Sequence, residues 1–195
     1  MLLIGEAHGT EGGNKAWRPP IGTEAWWSAG PTTAHAGVGI IIKKSFLKKF
    51  AEAPKWRVIW PGRAALLSLR GAEGALDILV GYFHTGGAVQ DLDKFGVHPD
   101  WMEYCTTFPR LREHMRNRIS AAVKPRDQVF TLFGADFNWV TDENDRRAKN
   151  HMEATGRRDR VDENHFQTTC VQRHGLFRDA PGGNDTLGQH CFFAA

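Results

Sequence analysis

Long apolar runs are missing from this sequence. After Met1 the chain has three apolar residues and then reaches Gly5 and Glu6, so the apolar stretch is too short for the core of a secretion signal. No later stretch approaches the roughly 18 consecutive apolar residues of a membrane-spanning helix. We therefore expect an intracellular protein, cytoplasmic or nuclear, with neither a signal peptide nor a transmembrane segment.

Cysteine is also scarce. Cys105, Cys170 and Cys191 are odd in number, far apart and free of any Cys-x-x-Cys pair. This usage disfavours a disulfide framework and a zinc ribbon, and it is typical of a protein from a reducing compartment. A zinc site built on Cys170 and His174 is disfavoured as well, because no second pair at ligand spacing accompanies them.

Neither sign of charge dominates. The 25 basic residues stand against 22 acidic ones, which leaves a net charge of +3. This balance permits a polyanionic partner but excludes the class of strongly basic tail proteins. A chain of 195 residues with 41% hydrophobic residues is long enough for one sizeable core, so we predict a single domain over residues 1–195.

Short apolar segments separated by turn residues are what the sequence does contain. They predict strands at residues 2–4, 37–42, 64–69, 76–83 and 129–133. A three-to-four residue repeat predicts helix over 101–122, kinked or divided at Pro109, and a second helix over 163–174 that ends before Gly175. Residues 9–30 and 141–160 are predicted to be surface loops, the first because it is rich in Gly and Pro and the second because it is highly charged.

Polar residues follow several of the predicted strands. Glu6 and His8 follow the first, His84 follows the strand ending at 83, and Asp136 and Asn138 follow the strand in "LFGADFNWV". Strand ends of one sheet converge on a common rim, where functional residues concentrate. Carboxylate and amide oxygens there are suited to Mg²⁺ with water and phosphate. A histidine at the same rim is suited to binding or protonating a phosphate oxygen.

Five segments in order carry a family resemblance: "LLIGEAH", "GVGIIIKKSF", "WPGRAALLSLRG", "LDILVGYFHTG" and "LFGADFNWV". Together they resemble the deoxyribonuclease-I-like endonuclease/exonuclease/phosphatase superfamily, most of all the nuclease-like domains of retrotransposon polyproteins. The match runs over residues 2–140. The resemblance implies an α/β fold, a four-layered sandwich of two mostly antiparallel sheets flanked by helices.

The resemblance also implies a function and roles for individual residues. The implied activity is that of a Mg²⁺-dependent phosphodiester hydrolase, with Mn²⁺ as the alternative metal, and first of all that of a nuclease acting on DNA or RNA. Glu6 and Asp136 correspond to metal-site positions. Asp136 is also the acid that positions the attacking water, Asn138 holds the scissile phosphate, and His84 matches a catalytic histidine of one branch.

Two family elements are not found in the sequence. Family members begin with a further strand that ends in asparagine, and they finish with a Ser-Asp-His turn that does not occur here. The segment "RVD", residues 160–162, has the letters of another late motif but the wrong place in the order. These departures predict a domain truncated at both ends.

Substrate contacts beyond the rim are predicted in the segment after the last motif. Trp139 is placed to stack on a base or sugar, and Arg146 and Arg147 to contact a nucleic-acid backbone. A solvated loop is the alternative for the two arginines.

Two alternatives remain for the function of the whole chain: an inactive remnant that at most binds nucleic acid, and a phosphatase of the same fold that hydrolyses inositol or other phosphate esters. The sequence leaves the oligomeric state open.

Overall fold

A computed structural model describes residues 1–30, 37–72, 74–84, 108–138, 157–179 and 190–194. Strands and helices alternate along these segments in the following order: β1 (Leu2–Ile4), α1 (Glu11–Ala16), β2 (Thr23–Ser28), β3 (Val38–Lys43), α2 (Lys44–Leu47), β4 (Lys55–Trp60), β5 (Ala64–Gly71), β6 (Gly74–Tyr82), α3 (Phe108–Ala122), β7 (Phe130–Asp136), α4 (Arg157–Phe166), a π-helix (Gln167–Gln172), β8 (Phe177–Asp179) and β9 (His190–Ala194).

The described strands form two sheets. The smaller has the order β1-β3-β2 and the larger the order β4-β5-β6-β7-β9-β8. Every pairing is antiparallel except that of β6 with β7, which is parallel. A parallel pair needs a long crossover connection, and α3 lies in that connection. The carboxyl ends of β6 and β7 therefore reach the same rim.

A first apolar core fills the space between the two sheets. Side chains alternate along a strand, so every second residue of β3 turns inward: Val38, Ile40 and Ile42 are fully or almost fully buried. They pack against the inward side chains of β5 and β6, such as Leu67 and Val80. Burying an aliphatic side chain contributes about 1.5–3 kcal/mol, so this layer holds the small sheet onto the large one.

A second core lies between the large sheet and the helices. Leu111, Met115 and Ile119 recur every four residues on α3 and are completely buried. They pack against Phe133 of β7 and Phe166 of α4. This spacing places one apolar face of the helix on the sheet, and it is the repeat from which the helix was predicted.

Aromatic residues next to α1 lie on the outer face of the small sheet. Trp17, just after α1, meets Trp27 of β2 edge-on with ring centroids 5.4 Å apart. Trp27 lies over Gly39, where an added Cβ would come within 2.2 Å of the indole. Helical and aromatic residues thus flank both sheets, and the predicted α/β sandwich of two mostly antiparallel sheets flanked by helices is confirmed.

Two local predictions were wrong. Residues 9–30, predicted to be one long loop, contain α1 and β2. The charged segment 141–160 was also predicted to be a loop, but its described part, from Arg157 onward, already belongs to α4. The helix predicted over 163–174 is therefore longer at its start, and it becomes a π-helix at Gln167. Gly175 ends it with φ at +63°, as predicted.

Candidate active site

The ends of β6 and β7 form the floor of the site. The parallel register pairs Tyr82 with Asp136, and the amide of Phe83 donates to the carbonyl of Asp136 over 2.9 Å. On the other side of β7, the register pairs Asp136 with His190 of β9. Asp136 is therefore held in the interior of the large sheet, with a neighbouring strand on each side.

Glu6 reaches the same floor from the small sheet. Its neighbour Ala7 donates its amide to the carbonyl of Gly37 over 2.9 Å, which ties the segment after β1 to the start of β3. The hydroxyl of Tyr82 then donates to Oε1 of Glu6 over 2.9 Å. Tyr82 thus contacts both predicted metal-site residues, Asp136 through the backbone register and Glu6 through its side chain.

Strained backbone marks these positions. Among the described residues, the non-glycine residues with positive φ are Glu6 at 57°, His8 at 50° and Asn138 at 54°. The left-handed region is unfavourable for side-chain-bearing residues, and Asn tolerates it better than Glu. Such strain persists where the surrounding structure imposes it, and it clusters at functional sites. Two of the three strained residues, Glu6 and Asn138, are residues to which the family resemblance assigns a role in the site.

The turn after β7 is built by its own side chains. The amide of Asn138 donates to Oδ1 of Asp136 over 3.0 Å, and Nδ2 of Asn138 donates to the carbonyl of Phe83 over 2.6 Å. Phe137 between them is buried, stacked on Phe83 with centroids 5.4 Å apart and packed against Phe166 at 4.9 Å. The buried ring anchors the turn, so that the two polar residues stand at the rim.

A buried arginine lies beneath Tyr82. Arg63 is 5% exposed, and its guanidinium carbon lies 4.7 Å from the centre of the Tyr82 ring. Burial lowers the pKa of Arg63 to about 10, although Tyr82 and Glu6 counteract the shift. Burial and then the neighbouring Glu6 raise the pKa of Tyr82 to about 12. Near neutral pH, Arg63 is therefore a cation and Tyr82 a neutral hydrogen-bond donor.

His84 lies deeper than a rim residue. Its side chain is 2% exposed and meets Trp60 with ring centroids 6.5 Å apart, while Arg112 donates to its backbone carbonyl over 3.2 Å. Burial, reinforced by Arg63 and Arg112, holds the pKa of His84 well below its usual range. The ring is therefore neutral near pH 7. Its catalytic role stays a prediction, and in this state it has no proton to donate as an imidazolium.

The oxygen ligands at the rim suit a hard cation. Glu6 and Asp136 both raise the pKa of Tyr82 through their charges, so both carboxylates act on one small region. In the described part of the chain, no three His, Cys, Asp or Glu side chains group around one point. Mg²⁺ commonly takes one or two carboxylates and completes its shell with water and phosphate. Two carboxylates at an open rim fit that requirement.

The remaining candidates lie elsewhere or outside the described residues. Trp139, Arg146 and Arg147 fall outside those residues. The Cys170 thiol is completely buried and burial raises its pKa to about 11, while Nε2 of His174 lies 2.9 Å from the hydroxyl of Ser120. The sequence did not identify Tyr82 as a site residue. It could have been found from its position at the end of β6, two residues before His84.

Comparison with known proteins adds a result at the level of the fold. No protein-family model and no curated protein sequence matches the chain. An AP endonuclease from Leishmania major aligns over 99% of this chain and 68% of its own, with a TM-score of 0.61 and 10% identity. An AP endonuclease from Archaeoglobus fulgidus aligns over 89% and 67%, with a TM-score of 0.51 and 15% identity. The chain has the deoxyribonuclease-I-like fold of the endonuclease/exonuclease/phosphatase superfamily.

Proposed function

We propose that the chain is a Mg²⁺-dependent phosphodiester hydrolase that acts on nucleic acid. The observation that carries this proposal is that Tyr82 links Glu6 and Asp136 at one rim: its hydroxyl donates to Glu6, and its backbone is the register partner of Asp136. The strained backbone at Glu6 and Asn138 supports it, because such strain is retained where function requires a particular geometry.

Three rim residues bind metal, water or phosphate in this proposal. Glu6 and Asp136 hold the metal ion, Asp136 orients the attacking water, and Asn138 holds the scissile phosphate. The ion, when bound, supplies Lewis-acid stabilisation of the charge that develops on the phosphoryl oxygens. The hydrogen bonds that tie Asn138 to Asp136 and to Phe83 fix the spacing of the two side chains before substrate arrives, which is the preorganisation that electrostatic catalysis needs.

Nucleic acid is the substrate class that we favour. The two similar structures described above are both AP endonucleases, and the net charge of +3 does not oppose a polyanion. We further propose that Trp139, Arg146 and Arg147 extend the contact along the strand on either side of the cleaved bond. Because phosphate contacts release counterions, cleavage should weaken as salt concentration rises.

The experiment that tests this function is nicking of supercoiled plasmid by the purified chain with Mg²⁺ or Mn²⁺. Removing the metal with EDTA should abolish nicking. Asp136→Ala should lower the rate by at least about 100-fold, the lower range for losing a positioned acid-base group. Asp127→Ala is the matched control, because Asp127 is an exposed aspartate in the turn before β7, and it should nick like the wild type.

The outcomes separate the three hypotheses. Metal-dependent nicking that Asp136→Ala loses supports the nuclease. Full nicking activity in a folded Asp136→Ala variant contradicts the assignment of Asp136 to the active site. A folded wild type that binds plasmid without cleaving it points to the inactive remnant. Release of phosphate from inositol phosphates, with plasmid untouched, points to the phosphatase.

A further inference from the structure

We infer that Tyr82 is a positioning residue whose hydroxyl holds the Glu6 carboxylate in the orientation in which it binds the cation. This inference rests on the proposed function, since it assigns a role in the same site. It goes further in naming a residue, outside the predicted set, that controls metal affinity.

The Glu6 side chain needs such support although the backbone around it is tied to β3. Glu6 follows a three-residue strand at the edge of the small sheet, and its side chain is 52% exposed. Fixing a glutamate side chain costs rotamer entropy, because several of its bonds rotate freely in solvent. A carboxylate that is mobile before metal binding would lose that entropy on binding, and the affinity for the metal would fall accordingly.

Tyr82 is able to provide the support because it is itself immobile. It ends β6, which has β5 on one side and β7 on the other, and its residue exposure is 8%. Its amide donates to the carbonyl of Arg63 over 2.7 Å, and the Arg63 guanidinium lies under its ring. The hydroxyl therefore has a fixed place relative to Asp136, its neighbour in the register.

The hydrogen bond also selects which oxygen of Glu6 faces the cation. Tyr82 donates to Oε1, and His8 approaches the same oxygen at 3.5 Å. Both contacts fall on Oε1, which leaves Oε2 to bind a metal ion. Hydrogen bonds to ligating carboxylates orient them, and their loss typically weakens metal binding by about 10- to 100-fold.

The test is a titration of Mn²⁺ into the folded chain without substrate, followed by electron paramagnetic resonance. Tyr82→Phe keeps the ring above Arg63 and removes only the hydroxyl. We expect its Mn²⁺ dissociation constant to rise about tenfold. The KM for plasmid at saturating metal should stay unchanged, and the nicking rate should recover as Mn²⁺ is raised.

Thr23→Val is the matched control. It removes a hydroxyl that donates to the carbonyl of Pro20 over 2.6 Å, at the end of β2 away from the site, and it should leave Mn²⁺ affinity unchanged.

Unaltered Mn²⁺ affinity in Tyr82→Phe would overturn the inference while leaving the proposed function intact. Loss of the folded state in Tyr82→Phe would also overturn it, because the hydroxyl would then serve the fold. A folded wild type that binds no Mn²⁺ would overturn the proposed function, and the inference with it.

Discussion

At the scale of single residues, the site depends on backbone that is unfavourable for the side chains it carries. Asn138 adopts a φ of 54°. Two hydrogen bonds compensate for that conformation: its backbone amide donates to Oδ1 of Asp136, and its side-chain Nδ2 donates to the carbonyl of Phe83. Asparagine is the non-glycine residue best suited to this combination, because its short polar side chain bonds to nearby backbone. The identity of residue 138 is therefore constrained by local geometry as well as by any contact with phosphate.

Replacing Asn138 by Ala and by Gly should separate the loss of its side-chain hydrogen bond from the strain of its positive φ. Both variants lose the 2.6 Å bond from Nδ2 to Phe83, which costs about 1 kcal/mol. Ala must also adopt a positive φ, whereas Gly does so freely. We expect Asn138→Ala to be less stable than Asn138→Gly by about 1 kcal/mol in urea unfolding. Equal stability of the two variants would contradict a left-handed backbone at this position.

At the scale of elements, a buried ion-pair cluster joins α3 to α4 behind the rim. Asp162 of α4 accepts from Nε of Arg112 over 2.8 Å and also from Arg116. Asp162 is 4% exposed, and Arg112 donates onward to the carbonyl of His84. The aspartate of the misplaced "RVD" segment thus links two helices, and through Arg112 it supports the end of β6.

Asp162→Ala should therefore destabilise the fold strongly. Two buried arginines would lose a carboxylate that both contact, and removing one partner of a buried ion pair costs about 3–5 kcal/mol. Asn164→Ala, an exposed position on the same helix, should change stability by less than about 0.5 kcal/mol. Thermal unfolding of the two variants side by side is the measurement. A loss below about 1 kcal/mol in Asp162→Ala would show that the cluster contributes little to stability.

At the scale of the whole molecule, one buried histidine makes stability depend on pH. The pKa of His84 in the folded chain lies well below its ordinary value of 6.5. Below about pH 6.5 the unfolded chain takes up a proton at His84 that the folded chain does not. Acid therefore favours unfolding, and the free energy of unfolding should fall as the pH drops from 7.5 to 5.5.

The expected slope is bounded by about 1.4 kcal/mol per pH unit for this one group. Urea unfolding at several pH values between 7.5 and 5.5 measures it, and His84→Gln, which does not titrate, should have a shallower dependence. An identical dependence in the two proteins would mean that His84 does not remain neutral in the folded chain.

The whole chain also shows what an apolar pattern predicts and what it leaves out. Strands β1, β3, β5, β6 and β7 were predicted because each is an apolar run, and the sheets bury most of that run in all but β1. Strand β4, "KWRVIW", was missed because it lies at an edge and mixes charged with apolar residues. Strand β2 was missed because its tryptophans lie within a glycine- and proline-rich segment that also predicts turns.

In the part of the chain that the structure describes, no helix is long and apolar enough to span a membrane.

The sequence by itself determined the elements whose signals are local: the apolar runs, the face of α3, and the polar residues Glu6, Asp136 and Asn138 at strand ends. Only the tertiary structure decided that Tyr82 meets Glu6, 76 residues away, that Arg63 lies beneath Tyr82, and that His84 is buried and neutral. The reason is physical. A strand's period tells which residues share a face, whereas contacts between sheets and the burial of a titratable group depend on how distant segments pack.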